Sequence, residues 1–559
     1  MFKAISNCCG RLLYMQKVLT AAEMREVDRL TTERYGIPSI ILMENAAHAV
    51  ARVITEKLGG SVKGKSILVL CGKGNNGGDG AALARILWTK GAKVHVVIFG
   101  DSNEAKGDAK TNFDAIKLLD QKNPLLRIQE VSQVDEDARR WWSDFIYHFA
   151  ATRIDCVVDA VFGTGFHGQI TGPLRIILET FWTNINRRFH ELVIVSIDIP
   201  SGLNADEPTT EGWYCFPDTT VTFTAPKPAN ILPPASNYNG ELIVANIGSP
   251  QELINAQPSQ LFLSERDDAA QWLVQTRFSE SSYKNNRGHA LLIAGSENYS
   301  GASVLAGNAA MRSGVGLVTV VTPKSSKESI ASRLLPEVMV RGVAETENGA
   351  ISKEAFDEMG DLLEKADAVA VGCGLSQDES TKEFVKKMAA SRRQPTVVDA
   401  DALNLLSPFA GFDANGESDE PLILTPHEGE FMRLLGTDDK DAIKDRVAAV
   451  RDFSQKHNVI LVLKGERVLI GEPGGKVVVN PTGNSGLGKA GNGDTLTGIL
   501  AGFAAQAVQM KIDMFETVVA AVYLAGLAGD IAEKKYGKRV MTASDVRECL
   551  SEAFNEVNK

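Results

Sequence analysis

The stretch KVVVNPTGNSGLGKAGNGDTLTGILAG (residues 476–502) predicts a β-strand, a glycine-rich loop and an α-helix in direct succession. It begins with a β-branched apolar run, and an apolar helical pattern follows from about Asp494. Glycines in such a loop allow positive φ angles and let the backbone approach a ligand closely. The pattern therefore favours an anion site, because backbone N–H groups and the positive end of the helix dipole would face the bound group.

Asp494 stands at the start of the predicted helix. A carboxylate beside a bound phosphoryl group can accept the proton of a hydroxyl that attacks phosphorus. The alternative is that Asp494 only caps the helix, as aspartate often does. Capping needs a single aspartate and does not account for the glycines upstream, so we favour a role as catalytic base.

Short apolar runs alternate with amphipathic helical patterns from Ser66 onward, which predicts parallel sheets covered by helices on both faces. Between residues 249 and 282 the pattern is polar and helix-like, without a strand followed by glycines. We therefore predict an α/β fold of two three-layer αβα domains, at residues 16–255 and 256–559, after an N-terminal extension at residues 1–15. The predicted strands are SILVL (66–70), KVHVVIF (93–99), CVVDAVF (156–162), LVIVSIDI (192–199), HALLIAG (289–295), GLVTVVT (316–322), AVAVGCG (368–374), TVVDAD (396–401), LILTP (422–426) and VILVLKG (459–465).

The composition is that of an ordinary soluble globular protein, with 44% hydrophobic and 23% charged residues. A net charge of −11 disfavours nucleic acid as a partner, because duplex binding depends on a basic surface. The seven scattered cysteines include no CxxC pair and predict reduced thiols in a reducing compartment. No run approaches the roughly 20 continuous apolar residues of a membrane span. We expect a cytoplasmic protein without a membrane partner that forms a homo-oligomer.

Residues 1–22 contain Lys3, Arg11 and Lys17 but no acidic residue. Mitochondrial transit segments have such a composition. The alternative is an extension without a targeting role, with Met15 as an internal start. The sequence leaves both interpretations open.

Three glycine-containing loops follow predicted strands in the N-terminal half: CGKGNNGGDG (71–80), DAVFGTGFHG (159–168) and SIDIPSGLNAD (196–206). The first opens a helix and would hold an anion, although it could also be a tight turn in which Asp79 is the N-cap. Because the carboxyl ends of parallel strands meet at one rim, the three loops should converge. Their oxygen ligands suit a hard cation such as K⁺ or Mg²⁺ and would not suit zinc. The side chains concerned are those of Asn75, Asn76, Asp79, Asp159, Asp198 and Ser201.

These three segments closely resemble those of the NAD(P)H-hydrate epimerases, over roughly residues 16–250. The resemblance implies a Rossmann-like three-layer fold that equilibrates the R and S forms of hydrated NADH or NADPH. It also implies that Asn76, Asp159 and Ser201 hold K⁺. Epimerisation at an oxygen-bearing carbon moves a proton, so either Asp198 or Asp159 would be the catalytic acid or base. Substrate contacts would come from Asn75, Asn76, Gly77, Gly78, Asp79, Gly163, Thr164, Gly165, Phe166, His167, Gly168, Gln169 and Asp198.

Several segments of the C-terminal half end predicted strands and would form one wall of a pocket beside Asp494. His427 could bind substrate there or be a capped surface histidine. The segments are YSGA (299–302), GCGLS (372–376), VDADALN (398–404), TPHEGE (425–430) and LKG (463–465).

TPHEGE and the glycine-rich signature at 483–498 resemble those of the ADP- or ATP-dependent NAD(P)H-hydrate dehydratases, over about residues 275–555. The resemblance implies a ribokinase-like fold that phosphorylates the ring hydroxyl of the hydrate and then eliminates phosphate. Hydrate contacts would come from Ala302, Gly374, His427 and Asp494. Nucleotide contacts would come from Lys464, Gly465, Glu466, Arg467, Val468, Leu469, Asn484, Ser485, Gly486, Leu487, Gly488, Lys489, Ala490, Gly491, Asn492 and Gly493.

The chain departs from the common family pattern at Asn492, at Lys489–Ala490 and at Glu466–Arg467. Asn492 tolerates positive φ, so the loop shape is compatible with it. Lys489 would add a cation beside the expected phosphates, which leaves the choice between ADP and ATP open.

Two other functions compete with this interpretation. The first is a ribokinase-like kinase that releases a stable phosphorylated vitamin precursor, which leaves the N-terminal half without a role. The second is an N-terminal binding or scaffold module without activity, which Asn76, Asp159, Asp198 and Ser201 disfavour.

Overall fold

The computed structural model describes residues 15–131, 154–188, 192–412 and 418–559. The chain divides into two compact units: an N-terminal unit, Lys17–Ser259, and a C-terminal unit of Gln260–Lys559 with Met15 and Gln16. Nearly all of the predicted extension at 1–15, and with it the targeting hypothesis, lies outside the described residues.

The strands and helices follow one another in both units at short intervals. The strands are β1 (Gln16–Lys17), β2 (Ser66–Gly72), β3 (Lys93–Phe99), β4 (Leu126–Val131), β5 (Cys156–Ala160), β6 (Val193–Ile197), β7 (Thr219–Phe223), β8 (Glu241–Ala245), β9 (Leu261–Leu263), β10 (His289–Ile293), β11 (Leu317–Pro323), β12 (Met339–Val343), β13 (Ala368–Val371), β14 (Thr396–Val398), β15 (Leu422–Leu424), β16 (Ile460–Leu463), β17 (Val468–Gly471) and β18 (Val477–Asn480). The α-helices are α1 (Ala21–Tyr35), α2 (Ser39–Lys57), α3 (Asn75–Thr89), α4 (Gly107–Asp120), α5 (Gly172–Arg188), α6 (Pro228–Ile231), α7 (Gln251–Asn255), α8 (Arg266–Gln275), α9 (Ser300–Arg312), α10 (Lys327–Ala331), α11 (Gly360–Leu363), α12 (Glu379–Ala390), α13 (Asp401–Leu405), α14 (Glu428–Leu435), α15 (Arg446–His457), α16 (Asn492–Met510), α17 (Met514–Tyr536), α18 (Ala543–Glu548) and α19 (Leu550–Val557).

The N-terminal unit contains a seven-stranded sheet in the order β4-β3-β2-β5-β6-β7-β8. All neighbouring strands are parallel. From β2 the chain first moves to β3 and β4 and then returns to β5 on the other side. The strand order therefore reverses between β2 and β5, and such a reversal opens a crevice at the carboxyl ends of the strands.

Helices cover both faces of this sheet, which confirms the predicted three layers. Residues of α2, α3 and α4, including Leu83 and Phe113, form one buried cluster with the strands. On the opposite face, Phe181 and Trp182 of α5 pack with Leu68 and other strand residues.

The C-terminal unit has an eleven-stranded sheet in the order β1-β9-β18-β17-β16-β15-β14-β13-β10-β11-β12. The central part, β16 to β12, is parallel, and its order reverses between β10 and β13. The prediction of parallel sheets is confirmed for this central part, whereas β17 is antiparallel to both β16 and β18. Only four residues separate β16 from β17, too few for the crossover that a parallel pair requires.

Two boundaries differ from the predictions in ways that affect the sites. Helix α3 begins at Asn75 after the N-cap Gly74, so Asp79 lies inside the helix and the suggested N-cap role for it is wrong. The segment 249–282 contains β9, which pairs in parallel with β18, although no strand is predicted there. Three consecutive apolar residues are too short a run for hydrophobic periodicity to identify.

Among the described residues, α17 is long and apolar enough to cross a membrane by length and composition alone, with a mean hydropathy of 1.5. The structure buries 72% of that stretch inside the protein. This is the pattern of a core helix, and α17 accordingly packs against α16 and α8.

Candidate active sites

Asp159 is the central buried carboxylate of the N-terminal unit and directly follows two buried valines of β5. The Ser201 backbone N–H and the Ser196 hydroxyl donate to its Oδ2 at 2.8 and 2.9 Å. The Ser201 hydroxyl donates to its Oδ1 at 2.5 Å. Burial raises the pKa of Asp159, and these hydrogen bonds act in the opposite direction. Both carboxylate oxygens are thus engaged by protein donors.

The three residues predicted to hold a cation lie together. Asn76 Nδ2 donates to the Phe162 carbonyl at 2.9 Å, and the Ser201 hydroxyl lies 3.4 Å from the same oxygen. Ser201 in turn accepts from the Phe162 N–H at 2.9 Å and donates to Asp159. One carboxylate and several neutral oxygens suit K⁺ better than Mg²⁺, which requires near-octahedral geometry and keeps several waters. In the described part of the chain, no group of three or more His, Cys, Asp or Glu side chains forms a metal cluster.

Asp198 follows β6 and is held by a lysine for which the sequence patterns indicate no role. Lys227 is only 1% exposed, and its Nζ donates to Asp198 Oδ1 at 2.7 Å. The Thr222 hydroxyl donates to the same oxygen at 3.0 Å. The Thr164 N–H, in the predicted substrate loop, lies 3.4 Å from Oδ2. Asp198 also has φ +67°, a strained conformation of the kind that is concentrated at functional sites.

Two more carboxylates lie close enough to Asp198 to interact with it electrostatically. Burial raises the pKa of Asp79 well above its ordinary value, and the charges of Asp198 and Asp28 add to the shift. Burial likewise raises the pKa of Asp28 to about 6, although Lys227 opposes the rise. Asp28 Oδ1 is buried without a hydrogen-bond partner. The cluster thus combines Lys227 with the carboxyl groups of Asp198, Asp79 and Asp28, and burial raises the pKa of the last two.

The second glycine loop, residues 163–169, lies next to these groups. A Cβ atom at Gly163 would lie 3.0 Å from Asn76 Oδ1, so the loop and the start of α3 approach closely. The rings of Phe162 and Phe166 pack with centroids 4.7 Å apart. The structure brings the loop together with Asn76 and Asp198, whereas Gly165, His167, Gly168 and Gln169 are exposed. This edge of the unit is therefore an open, oxygen-rich crevice at the strand-order reversal.

In the C-terminal unit Asp494 lies in the first turn of α16, three residues after the N-cap Gly491. Gly491 has φ +92°, which glycine adopts without strain. Burial raises the pKa of Asp494 to about 6, and a hydrogen bond with Cys373 acts in the opposite direction. A carboxyl group with this pKa is ionised at neutral pH and can accept a proton.

Two of the predicted hydrate contacts adjoin this turn. Gly374 has φ +64°, and a Cβ atom there would lie 3.0 Å from the Cβ of Ala302. Gly374 directly follows Cys373, whose thiol interacts with Asp494. Ala302, Gly374 and Asp494 therefore belong to one region, at the reversal between β10 and β13.

Lys464 is the predicted nucleotide ligand with the clearest ionic environment. Its Nζ lies 2.8 Å from Oδ1 of Asp399, a residue that is 1% exposed, and 3.8 Å from Glu430. Burial acts to lower the pKa of Lys464, but the charges of Asp399 and Glu430 outweigh it and raise the pKa. Burial acts to raise the pKa of Asp399, but Lys464 and Thr497 outweigh it and lower the pKa. Both members of the pair are charged.

His427 occupies the N-cap of α14, where its Nδ1 accepts from the N–H groups of Gly429 and Glu430 at 3.0 and 3.3 Å. The backbone N–H of His427 donates to Glu430 Oε2 at 2.8 Å. The His427 side chain is 55% exposed. It is thus a capping histidine, as in the second alternative, and its Nε2 lies 3.5 Å from Glu430 Oε1. The substrate-binding role of His427 stays a prediction.

The glycine-rich loop predicted to contact the nucleotide is anchored at both ends. Asn484 Nδ2 and the Gly483 N–H donate to Asp530 of α17 at 3.0 and 2.9 Å. Lys489 donates to the carbonyls of Arg539 and Met541. The Lys489 ammonium, expected beside the phosphates, is therefore engaged with the backbone, and the cation closest to the Gly493 backbone among the described contacts is Lys464.

Sequence comparisons assign both units to described families. Residues 39–229 match the YjeF-related protein N-terminus, and residues 290–552 match the NAD(P)H-hydrate dehydratase family. The chain is 38% identical over 535 residues to the bifunctional NAD(P)H-hydrate repair enzyme Nnr of Moorella thermoacetica, an alignment that covers 95% of this chain and 96% of the relative.

The chain belongs to the bifunctional NAD(P)H-hydrate repair enzymes. The Thermofilum pendens member is 32% identical, with 97% of each chain covered. The Bacillus subtilis ADP/ATP-dependent NAD(P)H-hydrate dehydratase, crystallised with ATP and Mg²⁺, is 29% identical and covers 53% of this chain and 98% of its own, with a TM-score of 0.45. The predicted family and its two-enzyme character are confirmed.

Within the two sites of this repair enzyme, three residues lie outside the sequence-based predictions. Lys227 occurs in TAPKP (224–228), after a strand that the periodicity does not identify. Asp28 lies on α1, far from any glycine loop. Asp399 occurs in the segment VDADALN, whose pattern indicates a pocket wall but no separate role for this carboxylate. Its position at a strand end, like those of Asp159 and Asp198, is the signal that could have singled out Asp399.

Proposed function

We propose that the C-terminal unit dehydrates the S form of hydrated NADH or NADPH at the expense of ADP or ATP. The observation that carries this proposal is the position of Asp494, which lies in the first turn of α16 and has a pKa of about 6. Asp494 accepts the proton of the ring hydroxyl while the hydroxyl oxygen attacks the terminal phosphorus of the nucleotide, and the terminal phosphoanhydride bond breaks so that AMP leaves from ADP, or ADP from ATP. The N–H groups at the start of α16 stabilise the charge on the transferred phosphoryl group.

Phosphorylation makes the following elimination possible. Hydroxide is a poor leaving group, whereas phosphate departs with the electron pair of the C–O bond as the neighbouring carbon loses a proton. The ring double bond of the dihydronicotinamide is thereby restored. A fold suited to phosphoryl transfer thus performs a net dehydration, and Mg²⁺ bound with the nucleotide would supply further charge neutralisation.

The N-terminal unit is proposed to equilibrate the R and S hydrates. Asp198 is the better candidate for the acid or base, because its Oδ2 faces the predicted substrate loop through Thr164 N–H. Both oxygens of Asp159 already accept hydrogen bonds from protein donors. Asp159 is better suited to hold the loops, and a cation, in place.

K⁺ is the proposed cation of the N-terminal unit, held by Asn76, Asp159 and Ser201. When bound, it would neutralise the buried Asp159 charge and hold the three loops together. Replacing K⁺ by choline should slow epimerisation and lower the thermal midpoint of unfolding of the wild type. The Asn76→Ala variant should show neither response. A wild-type midpoint that does not change between the two salts would contradict the assignment.

An assay with hydrated NADH tests the dehydration directly. The full chain is incubated with the substrate and with ADP or ATP in parallel, and the absorbance of the reduced nicotinamide is followed. We expect the absorbance to appear with at least one nucleotide. Comparing the rates with ADP and with ATP shows which nucleotide the protein prefers. Accumulation of a phosphorylated alcohol without that absorbance would support the vitamin-precursor kinase instead. Size-exclusion chromatography with light scattering of the same sample measures the expected homo-oligomer.

A further inference from the structure

Asp399 connects three elements of the C-terminal unit at one point. It directly follows β14, and its carboxylate is almost completely buried. Oδ1 accepts from Lys464, which follows β16, at 2.8 Å. Oδ2 accepts from the Thr497 hydroxyl of α16 at 2.7 Å. One carboxylate therefore holds a cation and, through Thr497, the helix that carries Asp494.

The backbone around Asp399 leaves little freedom for it to move. A Cβ atom at Gly372 would lie 1.8 Å from the Asp399 carbonyl, so the two chain segments touch directly. The next residue, Ala400, has φ +52°, which is strained for a residue other than glycine. Such strain persists only where the surrounding structure holds it in place.

The lysine that Asp399 holds lies at the predicted phosphoryl site. A Cβ atom at Gly493 would lie 3.6 Å from both Lys464 Nζ and Asp399 Oδ2. Gly493 belongs to the first turn of α16, immediately before Asp494. An ammonium group there can neutralise negative charge on a phosphoryl group beside the helix N-terminus, provided that it is held in one orientation.

We propose that Asp399 is a positioning residue that fixes the Lys464 ammonium and the first turns of α16 for phosphoryl transfer. The proposal rests on the dehydration assigned to the C-terminal unit. Asp399 itself does not touch the reacting atoms. It keeps Lys464 charged and aimed at the transferred group, and it sets the distance between that cation and Asp494. Glu430, which also contacts His427, supports Lys464 from the other side.

A double-mutant cycle on nucleotide-dependent dehydration tests this role. Asp399→Asn keeps the shape and removes the charge, Lys464→Met removes the cation, and the double variant removes both. We expect each single change to lower kcat/KM for the nucleotide on the order of 10–100-fold, the range for loss of a group that orients a charged ligand-binding side chain. In the Lys464→Met background, Asp399→Asn should lower kcat/KM by a smaller factor than in the wild type, because the Lys464 partner is gone and only the bond from Thr497 remains to be weakened.

The pH profile provides a second readout that a purely structural role would not change. The groups that act on Asp494 are Asp399, Asp401, Lys464 and Cys373. Loss of the Asp399 charge should move the acid limb of the rate profile to lower pH, and loss of the Lys464 charge should move it to higher pH. The proposal would be overturned if the acid limbs of Asp399→Asn and Lys464→Met both coincided with the wild-type limb.

Lys476→Met is the matched control, since Lys476 pairs with Glu472 at 3.4 Å in the β17–β18 turn. It should leave both activities unchanged, and epimerisation should persist in every variant as a check on the folded protein. Additive effects of Asp399→Asn and Lys464→Met would overturn the proposal. If Asp399→Asn does not fold, kcat/KM is compared between Lys464→Met and Lys464→Arg instead. The proposal fails if Lys464→Met retains the wild-type kcat/KM. A wild type that does not dehydrate the hydrate at all would instead contradict the proposed function.

Discussion

At both sites a buried carboxylate is paired with a lysine from a distant part of the chain. Lys227 binds Asp198, and Lys464 binds Asp399. Moving two charges out of water costs free energy unless they pair with each other. The loss of one partner therefore leaves a buried charge without compensation. In the second pair Lys464 lowers the pKa of Asp399, so this pairing affects the charge at the candidate site as well as stability.

Lys227→Met should destabilise the N-terminal unit by about 3–5 kcal/mol, the usual cost of breaking a buried ion pair from one side. Epimerisation should fall with it, because Asp198 loses its main partner. Hydrogen exchange of the amides in β6 and β7 measures the change in the free energy of opening. Lys57→Met is the control: Lys57 pairs with Glu241 at the exposed surface, and its loss should cost less than about 1 kcal/mol. Equal costs for the two changes would contradict the assigned burial of the charge.

Asp494→Asn should lower the rate of dehydration by roughly 10²–10⁴, the range for losing a general base. A base must be unprotonated, and burial raises the pKa of Asp494 to about 6. The wild-type rate should therefore be level above pH 6 and fall about tenfold per pH unit below it. The variant should lose this limb while it still equilibrates the R and S hydrates. A rate equal to that of the wild type would show that another group is the base.

At the scale of elements, each site is a strand, a glycine-rich turn and a helix packed closely against its neighbours. In α16, Gly498 faces the backbone of α9, and a Cβ atom there would lie 2.1 Å from the Ala306 carbonyl. This contact fixes the distance between the two helices one turn after Asp494. The position of the first turn of α16, which carries Asp494, thus depends on a small residue in the middle of the helix.

Gly498→Ala should push α16 away from α9, destabilise the C-terminal unit by about 1–3 kcal/mol and slow dehydration. Gly360→Ala is the matched change, because Gly360 is exposed, is also helical and has no atom within 4 Å of the added Cβ. It should be neutral or stabilise by up to about 1 kcal/mol, as alanine restricts the unfolded chain. Thermal unfolding and the dehydration rate of both variants check the prediction. If both replacements are neutral, the helix contact is not a constraint on the site.

At the scale of the whole molecule, each compact unit has a sheet and a candidate site of its own. The strand order reverses between β2 and β5 in the first unit and between β10 and β13 in the second. Each site lies at such a reversal, where the loops diverge and leave room for a ligand. One unit would produce the S hydrate that the other consumes, so a single substitution should separate the two reactions.

Asp159→Asn should slow epimerisation on the order of 10–100-fold and leave dehydration of the S hydrate intact. Three protein donors bond to the two oxygens of the Asp159 carboxylate, and the single oxygen of an asparagine amide cannot accept all three hydrogen bonds. The change also removes the charge that would attract a cation. With a mixture of R and S hydrates, the variant should consume the S form rapidly and then stop near half conversion. A single complete phase, as expected for the wild type, would show that Asp159 is dispensable.

Much of the fold and of both candidate sites could be predicted from the sequence. Apolar runs followed by glycines located the central strands, since buried parallel strands are continuously apolar. Asp494 could be identified because a carboxylate directly after a glycine-rich anion loop is placed to act on a bound phosphoryl group. The missed strands β1, β4, β7, β8, β9, β12 and β17 have only two to six residues each, and periodicity carries little information over so short a run.

The sequence by itself determined the two glycine-rich strand–helix units, and with them the family and the candidate role of Asp494. Only the tertiary structure decided which charges are paired. Asp399 lies 65 residues before Lys464 and 98 before Thr497, and Asp198 lies 29 before Lys227. These groups meet because of the order of the strands in each sheet, a property that the local pattern of apolar residues does not encode. The free energy of a buried charge depends on its neighbours, so the ionisation of both sites is a property of the fold.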